Sequence, residues 1–410
     1  MRHFRDTTAS RMPRAVTGAA SAAEAAPALQ ADVATSPEAV RALREDWEAL
    51  ARTTPSASPF QDFGWAAAWM RAFVEEAASP APRPHVIRVR AGGRALLLWP
   101  LQIDRHAGMR RLTWLSMPAL QYGGVLMADM PEDLLQAALE TAWEAIRRAP
   151  VDYVDLRLLP EESPLVRFLS ERCHSGCTNR SFLVDLSGHA DWRSYELSLS
   201  RSARRSRRKR LNRMSRAGEM RFAVHDDEET FTRLATVAVA WKREWLHAHG
   251  ISGALPERRA FLRLLHALGR TDADGRTGGR WVAAELSLDG HPVAIDIGAV
   301  RDGRFHSFLS AYDAGHAELS PGKVALWLML RWCRENGIDV YDMLANTAPY
   351  KEDWATRAVP LHHFIRPRTP GGLAYALWAS RLRALAMECY RALPDRLRNL
   401  ASCCLSGFRA

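Results

Sequence analysis

The chain has 410 residues, of which 47% are hydrophobic, and its 56 lysines and arginines outnumber its 46 acids to give a net charge of +10. This length suits two compact units, and the hydrophobic content is sufficient for two cores. No run of about eighteen apolar residues occurs, which excludes a membrane-spanning helix, so we expect a soluble or peripheral protein.

Residues 1–38 are rich in Ala, Ser, Thr, Pro and Arg and lack the apolar core of a secretory signal. They are predicted to be a disordered leader, with a transit peptide as the alternative. The cysteines show neither the spacing of a disulfide framework nor that of a zinc finger, which predicts a reduced, cytoplasmic protein without a bound metal. They are Cys173, Cys177, Cys333, Cys389, Cys403 and Cys404.

Residues 39–190 are predicted to form a first α/β half, because apolar residues at helical spacing alternate with short β-forming runs. The predicted helices are 37–50, 65–73, 134–147 and 165–171. The predicted strands are 85–90, 95–103, 110–116, 122–127, 153–159 and 182–186.

A basic helix is predicted over residues 194–217, where only Leu211 and Met214 offer an apolar edge. Its cations cover nearly the whole circumference. They are Arg201, Arg204, Arg205, Arg207, Arg208, Lys209, Arg210, Arg213 and Arg216. The pattern is typical of a solvated helix or of a surface that binds the phosphates of a cofactor, of RNA or of lipid headgroups.

Residues 191–366 are predicted to form a second half. Its predicted strands are 221–225, 281–288, 292–300, 304–312, 338–344 and 359–366, and its predicted helices cover 228–247, 257–268, the segment from Pro321 to Asn336, and a short turn at 350–354. Two Asp-Gly turns predict an antiparallel meander, followed by a crossover helix and a parallel strand. The tail, 367–410, is predicted to be a basic helical segment that packs on the body or lies on a membrane surface, which leaves peripheral attachment to the inner membrane as an alternative localisation.

The start of the crossover helix has the features of a phosphate site. Ser320 is a good cap and Pro321 suits the first turn. Gly322 leaves that turn without a side chain, so a bulky anion can reach exposed N–H groups, with Lys323 as a counter-charge.

With these residues in view, the chain resembles the BioF2-like, CelD-type acetyltransferases of the GNAT superfamily, relatives of the FemAB-type aminoacyl transferases. The resemblance covers about Val40 to Arg366. It depends on Pro59-Phe60-Gln61 with Trp65 and Trp69, on Tyr195 and the run Leu199-Ser200-Arg201-Ser202, on Ser320-Pro321-Gly322, and on Tyr341-Asp342 followed by Tyr350-Lys351 and Trp354. It implies an α/β fold of two tandem GNAT-like halves with the better acyl-donor site in the second. The family's acidic loop is replaced here by Asn346-Thr347-Ala348.

The resemblance implies an acyl-CoA co-substrate and an acceptor with an amine or hydroxyl, belonging to the cell envelope or to an exopolysaccharide. By position it makes Tyr350 the candidate acid and Lys351 the group that steadies developing negative charge. The donor carbonyl is expected near the backbone of Tyr312. From the residues themselves, Asp296 in an apolar strand and His306 on its neighbour are candidate bases. The alternatives are an aminoacyl-tRNA-dependent transferase, in which the basic helix binds RNA, and a non-catalytic scaffold.

Overall fold

A computed structural model describes residues 28–379, except 56, 77–80, 177–178, 252, 271–278 and 346–348. Most of the predicted leader, the loop Asn346-Thr347-Ala348, the tail beyond residue 379 and the cysteines at 177, 389, 403 and 404 therefore lie outside the described residues. Within the described part, no helix combines the length and the apolar character that crossing a bilayer requires.

In its described residues, the first part of the chain contains ten strands and five α-helices. They are β1 (Gln30–Ala34), α1 (Pro37–Arg41), α2 (Arg44–Thr53), α3 (Phe63–Met70), β2 (Arg83–Pro84), β3 (Val86–Ala91), β4 (Arg94–Trp99), β5 (Leu101–His106), β6 (Met109–Trp114), β7 (Leu126–Met127), α4 (Glu132–Arg148), β8 (Tyr153–Pro160), α5 (Leu165–Ser170), β9 (His174–Ser175) and β10 (Asn179–Asp185).

The second part continues with the elements that hold most of the predicted site. They are α6 (Trp192–Ser198), α7 (Arg201–Ala217), β11 (Met220–His225), α8 (Glu228–Ala248), α9 (Arg259–Gly269), β12 (Arg280–Leu288), β13 (His291–Arg301), β14 (Arg304–Tyr312), α10 (Pro321–Glu335), β15 (Val340–Ala345), α11 (Pro349–Trp354), β16 (Arg357–Pro367) and α12 (Pro370–Leu377).

One large mixed sheet runs through both parts of the chain in the order β11-β12-β13-β14-β15-β10-β16-β8-β6-β5-β2, with β9 beside β16. A smaller sheet has the order β1-β3-β4-β7. Each part contributes one parallel pair, β6 with β8 and β14 with β15. This arrangement confirms the predicted α/β fold with a mixed sheet.

The two parts exchange their last strands. β10 follows β8 in the chain but pairs with β15, and β16 follows β15 but pairs with β8. β10 and β16 also pair with each other in the middle of the sheet. The predicted boundary at residue 190 falls between β10 and α6, but the hydrogen-bonded ladder continues across it.

Helices cover both faces of the sheet around β13 and β14. Leu234 of α8 and Leu264 of α9 share one apolar core with Ile297. On the other face, Leu330 of α10 shares a core with Ala284 and Tyr341. Because successive strand residues point to opposite faces, α8 and α10 lie on opposite sides of these strands.

Several predicted boundaries were wrong. The predicted leader extends too far, because β1 pairs with β3. The predicted helix 37–50 consists of α1 and α2, and the predicted strand 95–103 breaks at Pro100, which lacks the N–H that a continuous ladder needs. The predicted strand 122–127 is reduced to β7. The predicted helix 194–217 divides into α6 and α7 at Ser200, whose hydroxyl caps α7.

Candidate functional site

A groove opens between β14 and β15. These parallel strands pair at only three positions, the last joining His306 to Asp342, and then diverge. Phe308 is an extra residue in β14, because Ile297 pairs with Leu309 while Gly298 pairs with Ser307. Leu344 in β15 adopts a left-handed φ of 58°. A bulge and a left-handed residue in neighbouring strands bend them apart, and such irregularities commonly occur beside active sites.

The N-terminus of α10 lies at the end of β14 and is open. Gly322 and Lys323 are exposed, and a Cβ added to Gly322 would contact only Tyr312, at 3.5 Å from Cδ1. The amides of Gly322 and Lys323 are the two predicted phosphate donors. Of these, the Lys323 amide already donates to the Ser320 carbonyl oxygen (3.1 Å). Arg213 of α7 donates to the Ser320 hydroxyl (3.1 Å), which brings a further cation to this helix end.

The corresponding helix in the first part of the chain differs at the same position. The crossover between β6 and β8 contains α4, which begins after Pro131 with Glu132 and Asp133. Two carboxylates in the first turn would repel a phosphate, whereas Gly322 and Lys323 would accept one. Of the two crossover helices, α10 therefore has the residues that fit the diphosphate of an acyl-CoA.

Asp296 lies under α10, buried in β13. Its carboxylate accepts hydrogen bonds from Ser307 (2.7 Å), Ser310 (2.9 Å) and Tyr341 (2.6 Å). Burial raises the pKa of Asp296, and these three donors offset part of that effect. Tyr341 was not predicted as a partner of Asp296, although it belongs to the motif on which the resemblance depends.

Lys351 of α11 turns back onto the end of β15. Its ammonium donates to the carbonyl oxygens of Met343 (2.5 Å), Leu344 (3.2 Å) and Ala345 (3.1 Å). The side chain is 9% exposed, and burial lowers the pKa of Lys351 to about 8. The neighbouring Tyr350 is 41% exposed, and its partial burial raises its pKa to about 12, so the phenol keeps its proton at neutral pH.

His306 lies on the opposite face of the sheet from Asp296, so the structure does not bring the two candidate bases together. Its ring contacts Phe60 and Tyr122 from the first part of the chain. Burial lowers the pKa of His306 to about 4, so the imidazole is neutral at pH 7. Its Nδ1 is buried without a hydrogen-bond partner among the described residues.

Asp342 is a structural acceptor at the start of the groove. Its carboxylate accepts from the hydroxyls of Tyr122 (2.7 Å) and Ser181 (2.9 Å) and from the amide of Leu344 (2.8 Å). In the part of the chain that the structure describes, no group of three or more His, Cys, Asp or Glu side chains is arranged to hold a metal ion.

This arrangement can support acyl transfer. An open helix N-terminus beside the unpaired end of β14, where Ser310 and Tyr312 are exposed, can hold a phosphate-bearing donor. Lys351 brings a positive charge and Tyr350 a proton to the end of that groove.

Comparison with known proteins supports this chemistry. Residues 201–352, less than half of the chain, match the acetyltransferase (GNAT) domain family. No curated protein matches the sequence significantly. The finer BioF2-like, CelD-type assignment stays a prediction.

Solved structures of similar fold extend the likeness to most of the chain. FemX has a TM-score of 0.52 at 11% identity, covering 78% of this chain and 95% of that chain. The C-terminal domain (DUF2156) of a putative lysylphosphatidylglycerol synthetase from Agrobacterium fabrum has a TM-score of 0.51 at 13% identity, covering 83% and 98%. A tandem GNAT protein from the clavulanic acid biosynthesis pathway has a TM-score of 0.45 at 14% identity, covering 84% and 99%. The family match thus finds residues 201–352 similar to a GNAT acetyltransferase domain, which supports an acyltransferase activity.

Proposed function

We propose that the protein transfers an acyl group, in the first instance acetyl, from a coenzyme A thioester to an amine or hydroxyl of an envelope or exopolysaccharide precursor. The observation that carries this proposal is the groove between β14 and β15, which ends at the open N-terminus of α10. The phosphates would lie against Gly322 and Lys323. The donor supplies an activated thioester carbonyl.

The side chains around the groove have distinct proposed roles. Lys351 donates its three N–H groups to carbonyl oxygens, so it would act on the developing negative charge of the thioester oxygen through its positive charge alone. Tyr350 retains its proton and can give it to the departing sulfur, and the proton that the acceptor loses would return through solvent to the exposed Tyr350 phenolate. Asp296 already accepts three hydrogen bonds, which leaves it little capacity to take a proton from the acceptor and gives it a role in holding Tyr341 and Ser310.

Calorimetric titration with acetyl-CoA tests the donor site. Gly322→Glu places a carboxylate beside the α10 amides and should abolish saturable binding through charge repulsion. Gly188→Glu is the matched control, because a Cβ at Gly188 meets nothing within 4 Å and the loop lies near the C-terminal end of α10, where Arg334 contacts Ala190. Equal affinity in the two variants would refute the assignment of this helix end.

A test of the catalytic residues uses turnover on an identified acceptor. Tyr350→Phe and Asp296→Asn together should reduce turnover, through loss of the proton donor and loosening of Tyr341 respectively. If the double variant retains full activity, the role proposed for Tyr350 is wrong even though the donor site stands.

A second candidate is an aminoacyl-tRNA-dependent transferase, and the arginines of α7 favour it. Arg205, Arg208 and Arg216 are exposed on the same helix whose Arg213 reaches the start of α10. An RNA backbone would bind such a row, and its affinity would fall steeply with salt. Salt-sensitive binding of charged tRNA, without any binding of acetyl-CoA, would favour this candidate over the first.

A further inference from the structure

A cavity of about 290 Å³ lies at the seam between the two parts of the chain, away from the α10 N-terminus. Its volume is near the lower end of the roughly 300–1,000 Å³ typical of small-molecule sites. The first part of the chain contributes Gln61 and Tyr122 to the wall, and the second contributes Arg304 and His306. The space is therefore large enough for a ligand of about one sugar ring.

The charge available to a ligand in this cavity comes from Arg304. Its side chain is 38% exposed, and its ion-pair partner Asp342 is 3.6 Å away, beyond hydrogen-bond distance. That carboxylate is fully buried and already satisfied by other donors. Arg304 thus presents guanidinium N–H groups toward the cavity, where an anion could accept a bidentate pair.

The other charged groups in the wall have partners of their own. Arg301 contacts Asp62 and donates to the carbonyl oxygen of Ala51 (2.8 Å). Its guanidinium also pairs with Asp302 at 3.2 Å, while Glu162 lies 3.9 Å from Arg357. Arg301 is shared between two carboxylates, which leaves Arg304 as the lining cation best able to bind an added anion.

One residue of the wall also has a buried polar atom without a partner. His306 lines the cavity, is 4% exposed and has an Nδ1 atom without a hydrogen-bond partner in the described part of the chain. A buried polar atom left without a partner destabilises the fold. A neutral imidazole can accept a hydrogen bond from a hydroxyl, so a turn of the ring that brings Nδ1 to the cavity would let a hydroxyl-bearing ligand satisfy it.

The cavity adjoins the groove. His306 and Asp342 are the last paired residues of β14 and β15, and the strands diverge directly after them. Arg304 and His306 therefore line the cavity beside the last paired segment, while the proposed donor site opens beyond its end. A ligand held at Arg304 could extend along the strands toward Tyr350 and Lys351.

From these contacts we propose that the cavity is the acceptor site, and that the acceptor is a monosaccharide-sized, hydroxyl-bearing molecule with an anionic group bound by Arg304. The anion is a phosphate or a carboxylate. This inference rests on the proposed acyltransferase function and names its substrate class.

Calorimetry on the full chain tests the inference with glucose, glucose 6-phosphate, glucuronate and inorganic phosphate as probes. The titrations use the Gly322→Glu variant, in which anion binding at α10 is removed. In this variant we expect at least one charged sugar to bind the cavity at least about tenfold more tightly than glucose, because charge-assisted hydrogen bonds supply a difference of this size. Inorganic phosphate distinguishes recognition of the anion alone from recognition of the whole sugar.

Two variants and one control make the test specific. Arg304→Met should remove the preference for charged sugars, and Ser163→Trp, at the rim, should weaken all sugar binding by filling the space. Arg148→Met removes an exposed arginine of α4 and should change neither. Equal binding of charged and neutral sugars, or a preference that survives Arg304→Met, would overturn the acceptor site. If acetyl-CoA still binds the unaltered protein in that case, the donor site and the proposed function survive, whereas absent acetyl-CoA binding would count against the function itself.

Discussion

The buried ammonium of Lys351 predicts a measurable change of stability with pH. Its pKa is lowered from 10.5 to about 8 by burial, so between these values the unfolded chain binds a proton that the folded chain has lost. Unfolding in this range takes up a proton, so raising the pH disfavours unfolding and stability increases. A shift of this size corresponds to about 3 kcal/mol.

The measurement is urea unfolding at pH values from 7 to 10.5 for the unaltered protein and for Lys351→Met. The difference in their free energies of unfolding should move by about 3 kcal/mol in favour of the unaltered protein across this range, and shifts common to both proteins cancel. Lys323→Met, which removes an exposed lysine, should follow the unaltered protein within about 0.5 kcal/mol. If the free energies of unfolding of Lys351→Met and the unaltered protein change with pH in parallel, the lowered pKa of Lys351 is refuted.

Three further substitutions test buried polar and charged contacts. Tyr341→Phe removes one of the three donors to Asp296 and should lower the free energy of unfolding by about 1–3 kcal/mol in urea titration, while a loss below about 0.5 kcal/mol would mean that the bond is not formed. Arg207→Ala removes the contacts of a buried guanidinium with the indole rings of Trp327 and Trp354. It should lower the free energy of unfolding by about 1–3 kcal/mol and change the tryptophan fluorescence. An unaltered fluorescence spectrum would contradict these contacts. Asp155→Asn should lower the free energy of unfolding by about 3–5 kcal/mol at pH 7, because Arg111 and Arg157 lose the carboxylate with which they pair. The pKa of Asp155 in the folded protein is held well below 3.8. Its contribution to the free energy of unfolding is therefore complete above pH 3.8 and is lost as the pH falls through the pKa of the folded state. If Asp155→Asn were equally destabilised at pH 2 and pH 7, the ion pair would be contradicted.

The meander of β12, β13 and β14 could be predicted because its signals are local. Asp289 and Asp302 adopt left-handed φ angles of 50° and 47°, and each is followed by a glycine with a positive φ, as the Asp-Gly pairs indicated. The crossover from β14 through α10 to β15 was likewise set by a proline-glycine start and an Asn-Gly end. Segments of this kind carry their own stop and start signals.

The positions of β10 and β16 could not be read from the sequence. Each has an ordinary apolar alternation, and the choice of neighbour depends on segments more than 150 residues away in the chain. Strand pairing over such separations is decided by tertiary packing, for which the local pattern contains no signal.

The separation of Asp296 from His306 has a single cause. His306 and Ser310 are four residues apart in β14 and would share a face in a regular strand. The bulge at Phe308 shifts this alternation, so Ser310 reaches Asp296 together with Ser307, while His306 turns to the other face. A bulge leaves no clear mark in the sequence, and the roles of Tyr350, Lys351 and Asp296 stay predictions.

The exchange of β10 and β16 restricts how this molecule can move and be divided. A fragment ending at residue 190 would retain β10 without either hydrogen-bonded neighbour, and the edge of β8 would be left bare, which invites aggregation. Separating the two parts of the chain would break the hydrogen-bonded ladder of β15, β10, β16 and β8. A hinge motion that opens the two parts is therefore disfavoured. Substrates would then enter by movement of surface loops, and the shape of the binding sites would be fixed by the shared sheet.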